Sequence, residues 1–259
     1  MDNELSILED SIDVEDISIQ EYEKIFDFEK YWSMNLWAIS NHKQLFAYVS
    51  DEKSVKSYVN ENTYTYYMDQ DVEKKEGDSK EYVELISSSM KSAMQLMNNQ
   101  MIVYMSTIVE TALNDYFKCI FIKNPNLVIG LDRYFTEKCD LRISYSDFLK
   151  YESKEAYIIE VSKRAAKLCN SGKIEKIIKR IFDMFKLKFP EECSEAIKAI
   201  TLNRNKIVHE NTHLDISIAE LHSLSDGLEK FLELLAKNVK EMDIMVKDGA
   251  GILLEDIWS

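Results

Sequence analysis

Turn-forming residues are scarce in this chain, with two prolines and six glycines among 259 residues. That scarcity excludes folds built from many short strands, which need Gly and Pro at their turns. The four cysteines, at 119, 139, 169 and 193, stand at least twenty residues apart. No CxxC pair for a zinc ribbon and no local disulfide framework can be drawn from them, and they read as buried thiols in a reducing compartment. No uninterrupted apolar run reaches the ~20 residues that a membrane span requires. The stretch MDNELSILEDSIDVED has neither the basic region nor the apolar core of a signal peptide, so a soluble, cytoplasmic protein without membrane contact is expected.

What the chain does contain is helix-forming. Leu, Ile, Lys, Glu and Met recur throughout, and the expected class is all-α. The net charge of −14 would disfavour a polyanionic partner if it were evenly spread. It is not: residues 1–85 hold 21 Asp plus Glu against 8 Lys plus Arg, which leaves 25 against 24 for the remainder. Within that remainder, residues 161–190 carry nine basic side chains against Glu175 and Asp183. This is a candidate polyanion contact, and a solvated helix face is the plainer reading.

Residues 1–18 read as an acidic arm. One or two packed helices are expected between Gln20 and Tyr48, where Tyr22, Phe26, Phe28, Tyr31, Trp32 and Trp37 cluster. The stretch NENTYTYYMDQ at 60–70 fits a short strand or a loop equally, and DVEKKEGDSK at 71–80 is the best boundary. Three parts are therefore expected: an acidic, mostly helical extension over 1–80, a helical domain over 81–246 and a tail over 247–259. From Glu81 to Lys123, Met90, Met94, Met97, Met101, Met105, Ile108 and Ala112 recur at helical steps and form a core stripe or a dimer seam. Further helices are expected over 146–169 and 173–187, from Pro190 onward, and from about Ser217 to Val246, with Asp215 or Ser217 as the last N-cap.

The chemically pointed stretch is LNRNKIVHEN, residues 202–211. One reading joins His209, Glu210 and His213 as HExxH, in which two histidines one helical turn apart hold zinc, with Glu229 or Glu233 as a third ligand. Against it, Asn211, Thr212, Asp215 and Ser217 are residues that end one helix and cap the next. The other reading takes Arg204, Asn205 and His209 together. Asn205 and His209 lie four apart on one helical face, so the amide can orient the imidazole. Arg204 is turned from His209 by roughly 140°, and only its long side chain or a second copy of the helix can bring the two groups together. Guanidinium and imidazole suit phosphodiester chemistry: one holds phosphate bidentately, the other shuttles protons. His42 and His222 show no metal-ligand spacing and read as surface or partly buried residues. His213 is at most an RNA contact.

The run AIKAITLNRNKIVHEN, followed by a polar link and the amphipathic ISIAELHSLSDGLEKFLELLAKNV, resembles the carboxy-terminal half of HEPN-domain proteins. Their hallmark is Arg, commonly then Asn, with four to six residues before His; here four separate Arg204 from His209. The helix MIVYMSTIVETALNDYFKCIF is similar to that family's early helix, where a polar or acidic residue faces the site, and Glu110 takes that place as a supporting residue. The resemblance covers about residues 85–245. It implies a helical bundle, usually a homodimer, acting as an endoribonuclease without metal or cofactor. RNA would be cut to a 2′,3′-cyclic phosphate, in a toxin–antitoxin, abortive-infection or other defence setting, with an antitoxin or regulatory protein as a possible partner. Arg204 and His209 would be catalytic with Asn205 beside them, and Lys206, Lys173, Lys176, Lys179 and Arg180 are the candidate RNA contacts. One branch of the family carries a tyrosine two residues after the His for adenylylation; Asn211 stands there in this chain. Members that have lost catalysis serve as interaction modules, which is the alternative function. Two readings stand for the acidic amino-terminal part: the plainer is a solubilising extension with its own small helical layer, and the other has the acidic arm occupy the basic surface near 161–190 and compete with RNA.

Overall fold

The computed structural model describes residues 23–62, 80–135, 148–249 and 251–253, and within them the fold is all-α. The acidic arm, residues 63–79 and Cys139 lie outside the described residues. Helix α1 spans Phe28–Ser50, α2 Glu52–Asn62, α3 Lys80–Lys123, α4 Asn126–Ile129, α5 Lys154–Cys169, α6 Ile174–Phe185, α7 Glu191–His209 and α8 Ile218–Glu241. A two-residue strand β1, Phe26–Asp27, pairs in parallel with β2, Val246–Lys247.

The organising element is α3, whose 44 residues extend for about 66 Å. No Gly or Pro interrupts it before Pro125, and its Met, Leu and Ala content favours helix throughout. Its middle and carboxy-terminal part is buried at Met94, Ile102, Met105, Ile108, Ala112, Tyr116, Phe117 and Phe121, whereas Met97 and Tyr104 remain exposed. The expected methionine stripe is therefore core for part of its length only.

Four helices surround α3. Helix α1 runs antiparallel to it, since Tyr31 bonds Asp115 at one end and His42 meets Asn98 at the other. Helix α8 runs parallel, with Asn98 donating to the Ile216 carbonyl at its start and Tyr116 to Asn238 near its end, at 2.7 and 2.6 Å. Helix α7 returns antiparallel to α8. Helix α5 returns along α3, its Lys163 sharing Glu23 with Lys118 and its capping Asn170 donating to the Glu110 carbonyl at 2.7 Å.

The boundary expected at residue 80 does not separate two cores. Phe26, Phe28 and Tyr31 are fully buried in the same cluster as Ile108, Phe117, Leu228 and Leu235. The expected tail also contributes, because Leu253 closes that cluster and β2 pairs with β1. Local signals set most helix ends. Ser153 and Ser217 accept from Ala156 and Glu220 amides as N-caps at 3.0 and 3.1 Å. Lys186 ends α6 in the left-handed conformation, φ 61°. Helix α5 starts at Lys154 rather than near 146, and α8 stops at Glu241 rather than Val246.

Gly227 brings α7 and α8 together. A Cβ placed there would lie 2.3 Å from the Cβ of Ala196, so only glycine permits this crossing. Gly227→Ala is expected to lower stability by about 1–3 kcal/mol through overpacking, and adding Ala196→Gly to recover part of the loss. Thermal unfolding followed by circular dichroism checks this, and a single variant as stable as the parent would contradict it.

Candidate functional site

Helix α7 ends at His209. The Glu210 and Thr212 amides both return to the Lys206 carbonyl at 3.2 Å, and Asn211 takes a left-handed turn, φ 51°. The expected helix end at HENTH is thus present, and it undoes the zinc arrangement. His213 lies beyond the turn, so His209 and His213 are not successive positions on one helical face. The proposed third ligands are engaged elsewhere: Glu229 accepts from the Trp32 indole at 2.7 Å and Glu233 pairs with Lys230 at 3.1 Å. Among the described residues no group of three or more His, Cys, Asp and Glu side chains could hold a metal ion.

Arg204 and His209 do meet within one chain. Arg204 starts on the half-buried side of α7, and its side chain wraps around the helix to place Nη1 2.9 Å from His209 Nε2. The same Nη1 donates to Asn205 Oδ1 at 3.1 Å. Two hydrogens on one nitrogen thus serve two acceptors. Asn205 therefore orients the guanidinium rather than the imidazole, which corrects the role expected from its spacing. An arginine side chain has no acceptor, so His209 Nε2 receives this bond and the neutral ring carries its proton on Nδ1. Among the described residues the Arg204 Nε and Nη2 edge has no partner, and that edge is the fork that binds phosphate oxygens in pairs.

The turn after His209 is held from α3. Asn99 Nδ2 donates to the Leu214 carbonyl at 2.9 Å and its Oδ1 accepts the Leu214 amide at 3.0 Å. Gln95 donates to the same carbonyl at 2.8 Å, and Asn98 holds the Ile216 carbonyl at 2.7 Å. Asn98 Oδ1 in turn accepts from His42 Nε2 at 2.8 Å, so His42 is a buried helix-to-helix brace rather than a surface residue. Burial holds the His42 imidazole below its ordinary value; the Asn98 bond opposes this and neighbouring His222 adds to it. Sequence reasoning missed Gln95, Asn98 and Asn99. Their signal was the run QLMNNQ, four amides within six residues of a helix, three of them buried or half-buried, where side-chain amides need partners.

Other candidates are dispersed. Glu110 accepts the Ser106 hydroxyl at 3.4 Å, and its carbonyl takes Asn170. It belongs to the α3–α5 contact, and its bonds to Ser106 and Asn170 do not join it to Arg204 or Asn205 as a supporting residue of the site. Lys206 is exposed on the last turn of α7. On α6, Lys173 and Lys176 are exposed, while Lys179 pairs with Asp183 at 2.6 Å. Arg180 is committed to structure: Nη1 donates to the Cys169 and Ser171 carbonyls at 2.8 and 2.6 Å, and the guanidinium lies 4.6 Å from the Phe135 ring centre. It closes the end of α5 and does not project as a nucleic-acid contact.

No known protein family, curated protein or solved structure was found to match the chain. No helix among the described residues is long and apolar enough to cross a membrane.

Asn99→Ala removes both bonds to Leu214, leaving its amide without its partner and its carbonyl with Gln95 alone. Amide exchange at Leu214 is expected to speed up roughly 5- to 150-fold, equivalent to ~1–3 kcal/mol of lost local protection. Unchanged protection with unchanged helicity would show that the turn does not depend on this clamp.

Proposed function

We propose that this chain is an endoribonuclease that cuts RNA by internal transesterification, leaving a 2′,3′-cyclic phosphate, with Arg204 and His209 as catalytic groups. The observation that carries the reading is the 2.9 Å contact between Arg204 Nη1 and a His209 Nε2 that must be the acceptor. It sets a lone pair beside a guanidinium whose phosphate-binding edge is open, at the exposed end of a helix. The resemblance to HEPN-domain proteins supports the same assignment, since these are the two residues of that family's motif.

The chemistry follows from what each group can do. A phosphodiester is an anion and a stronger acceptor for guanidinium than a neutral imidazole. Taken on the Nε and Nη2 edge of Arg204, it competes for the guanidinium and frees His209 Nε2 to accept a proton from the adjacent 2′-hydroxyl. The 2′-oxygen then bonds to phosphorus and the P–O5′ bond breaks. The 5′-oxygen departs with a proton from an imidazolium, and Arg204 offsets the charge that accumulates on the phosphorane oxygens. Asn205 keeps the guanidinium oriented. The nucleophile belongs to the RNA, so the reaction needs no metal-activated water. A homodimer, a restraining antitoxin or regulatory protein, and a cytoplasmic defence role belong to this reading through the family resemblance. Lys206 contributes backbone attraction next to the site.

Incubating the protein with total RNA and a transfer-RNA pool in EDTA tests the proposal. The wild-type chain is expected to yield cyclic-phosphate ends, His209→Ala to reduce cleavage by about 10²–10⁴-fold and Arg204→Ala by about 10²–10³-fold. Arg204→Lys is not expected to restore activity, because an ammonium lacks the two-pronged edge. Cleavage that persists in His209→Ala would reject the assignment, and no cleavage by the wild type would favour an interaction module of the same fold.

A further inference from the structure

The described chain begins at Glu23, and this residue already sits on the basic side of the bundle. Its carboxylate bridges Lys118 of α3 and Lys163 of α5 at 2.9 and 2.7 Å. Burial pushes the Glu23 carboxyl up, but the hydrogen bonds from Lys163 and Lys118 outweigh it and hold the group below its ordinary value. The chain therefore enters the fold through an acidic contact with the helix that starts the basic stretch.

Beyond Lys163, Lys167 follows one turn later on α5, and Lys173 and Lys176 stand at the first turn of α6; all three are exposed. Most other basic residues of 161–190 are occupied, Arg164 by Glu160 and Tyr151, Lys179 by Asp183 and Arg180 by the α5 carbonyls. Helix α6, which carries the end of the stripe, packs against α7. Residues 1–22 hold eight carboxylates and no Lys or Arg. Fully extended they reach up to about 70 Å. From Lys118 to Asn99, beside the turn that follows His209, is only about 28 Å along α3.

We propose that the acidic segment 1–22 docks on the stripe formed by Lys167, Lys173 and Lys176 and competes there with the backbone of RNA approaching Arg204 and His209. Its occupancy of the stripe stands on charge, reach and the Glu23 anchor. Its competition with RNA rests on the ribonuclease reading. The contact is made of exposed ion pairs, so it weakens with salt.

Zero-length carbodiimide coupling of the full-length chain, with peptide mapping, tests the docking without RNA. Links within one chain from carboxylates of residues 1–22 to Lys167, Lys173 or Lys176 are expected at low salt, falling severalfold in about 0.5 M NaCl. Absence of such links, or links elsewhere only, would overturn the docking. For the competition, a fluorescein-labelled 20-nucleotide 2′-O-methyl oligonucleotide, which lacks the attacking hydroxyl, serves as probe. A variant with all eight carboxylates of 1–22 replaced by amides should bind it about tenfold more tightly than the wild type at low salt. Equal affinity would overturn the competition even where the links form. Failure of RNA cleavage would leave the cross-links untouched, so the two readings fail separately.

Discussion

The turn between α7 and α8 folds onto α3, and its backbone polar groups must find partners there. Carbonyls and amides withdrawn from water cost about 1–3 kcal/mol each when left unbonded. Gln95, Asn98 and Asn99 meet this demand at Leu214 and Ile216, and His42 braces Asn98 from α1. Two helices, α3 and α1, thereby hold the turn that follows α7. Because α7 stops at His209, the imidazole stands in the last turn at the surface, within reach of an arginine one and a half turns earlier. The same arrest carries His213 away from His209. One packing constraint therefore favours the phosphodiester reading of the motif over the metal reading.

The arginine supplies the second half of the arrangement. Helical geometry turns Arg204 roughly 140° from His209, and the long side chain spans that angle by passing Asn205, whose carbonyl oxygen receives one of its hydrogens. A lysine at 204 could reach as far but would offer no planar fork. Donation from Arg204 Nη1 leaves His209 with its lone pair on Nε2, the tautomer a general base facing the guanidinium needs. Structure and proposed chemistry thus meet at a single nitrogen pair.

The class, the long helix α3, the Ser217 cap and the end of α7 were legible because propensity, capping and turn residues express themselves locally. The Arg204–His209 pair was legible as one of two ways to close the angle, and the structure takes the way that needs no second copy. Other features depend on contacts far apart in sequence. Phe26 and Tyr31 read as part of an extension because nothing local says that they pack against α3, more than 80 residues away. Glu110 sits on the helix expected to face the site, but its carboxylate accepts from Ser106 on the same helix and its backbone carbonyl takes Asn170. Arg180 counted as surface charge until the open end of α5 claimed it.

The central claim is that the neutral ring of His209 carries its proton on Nδ1 and accepts at Nε2 from Arg204. Nitrogen-resolved NMR of the imidazole, in the wild type and in Arg204→Ala, tests it most directly. The account predicts an Nδ1-protonated ring whose Nε2 resonance shifts when the guanidinium is removed. An Nε2-protonated ring, indifferent to the loss of Arg204, would contradict it.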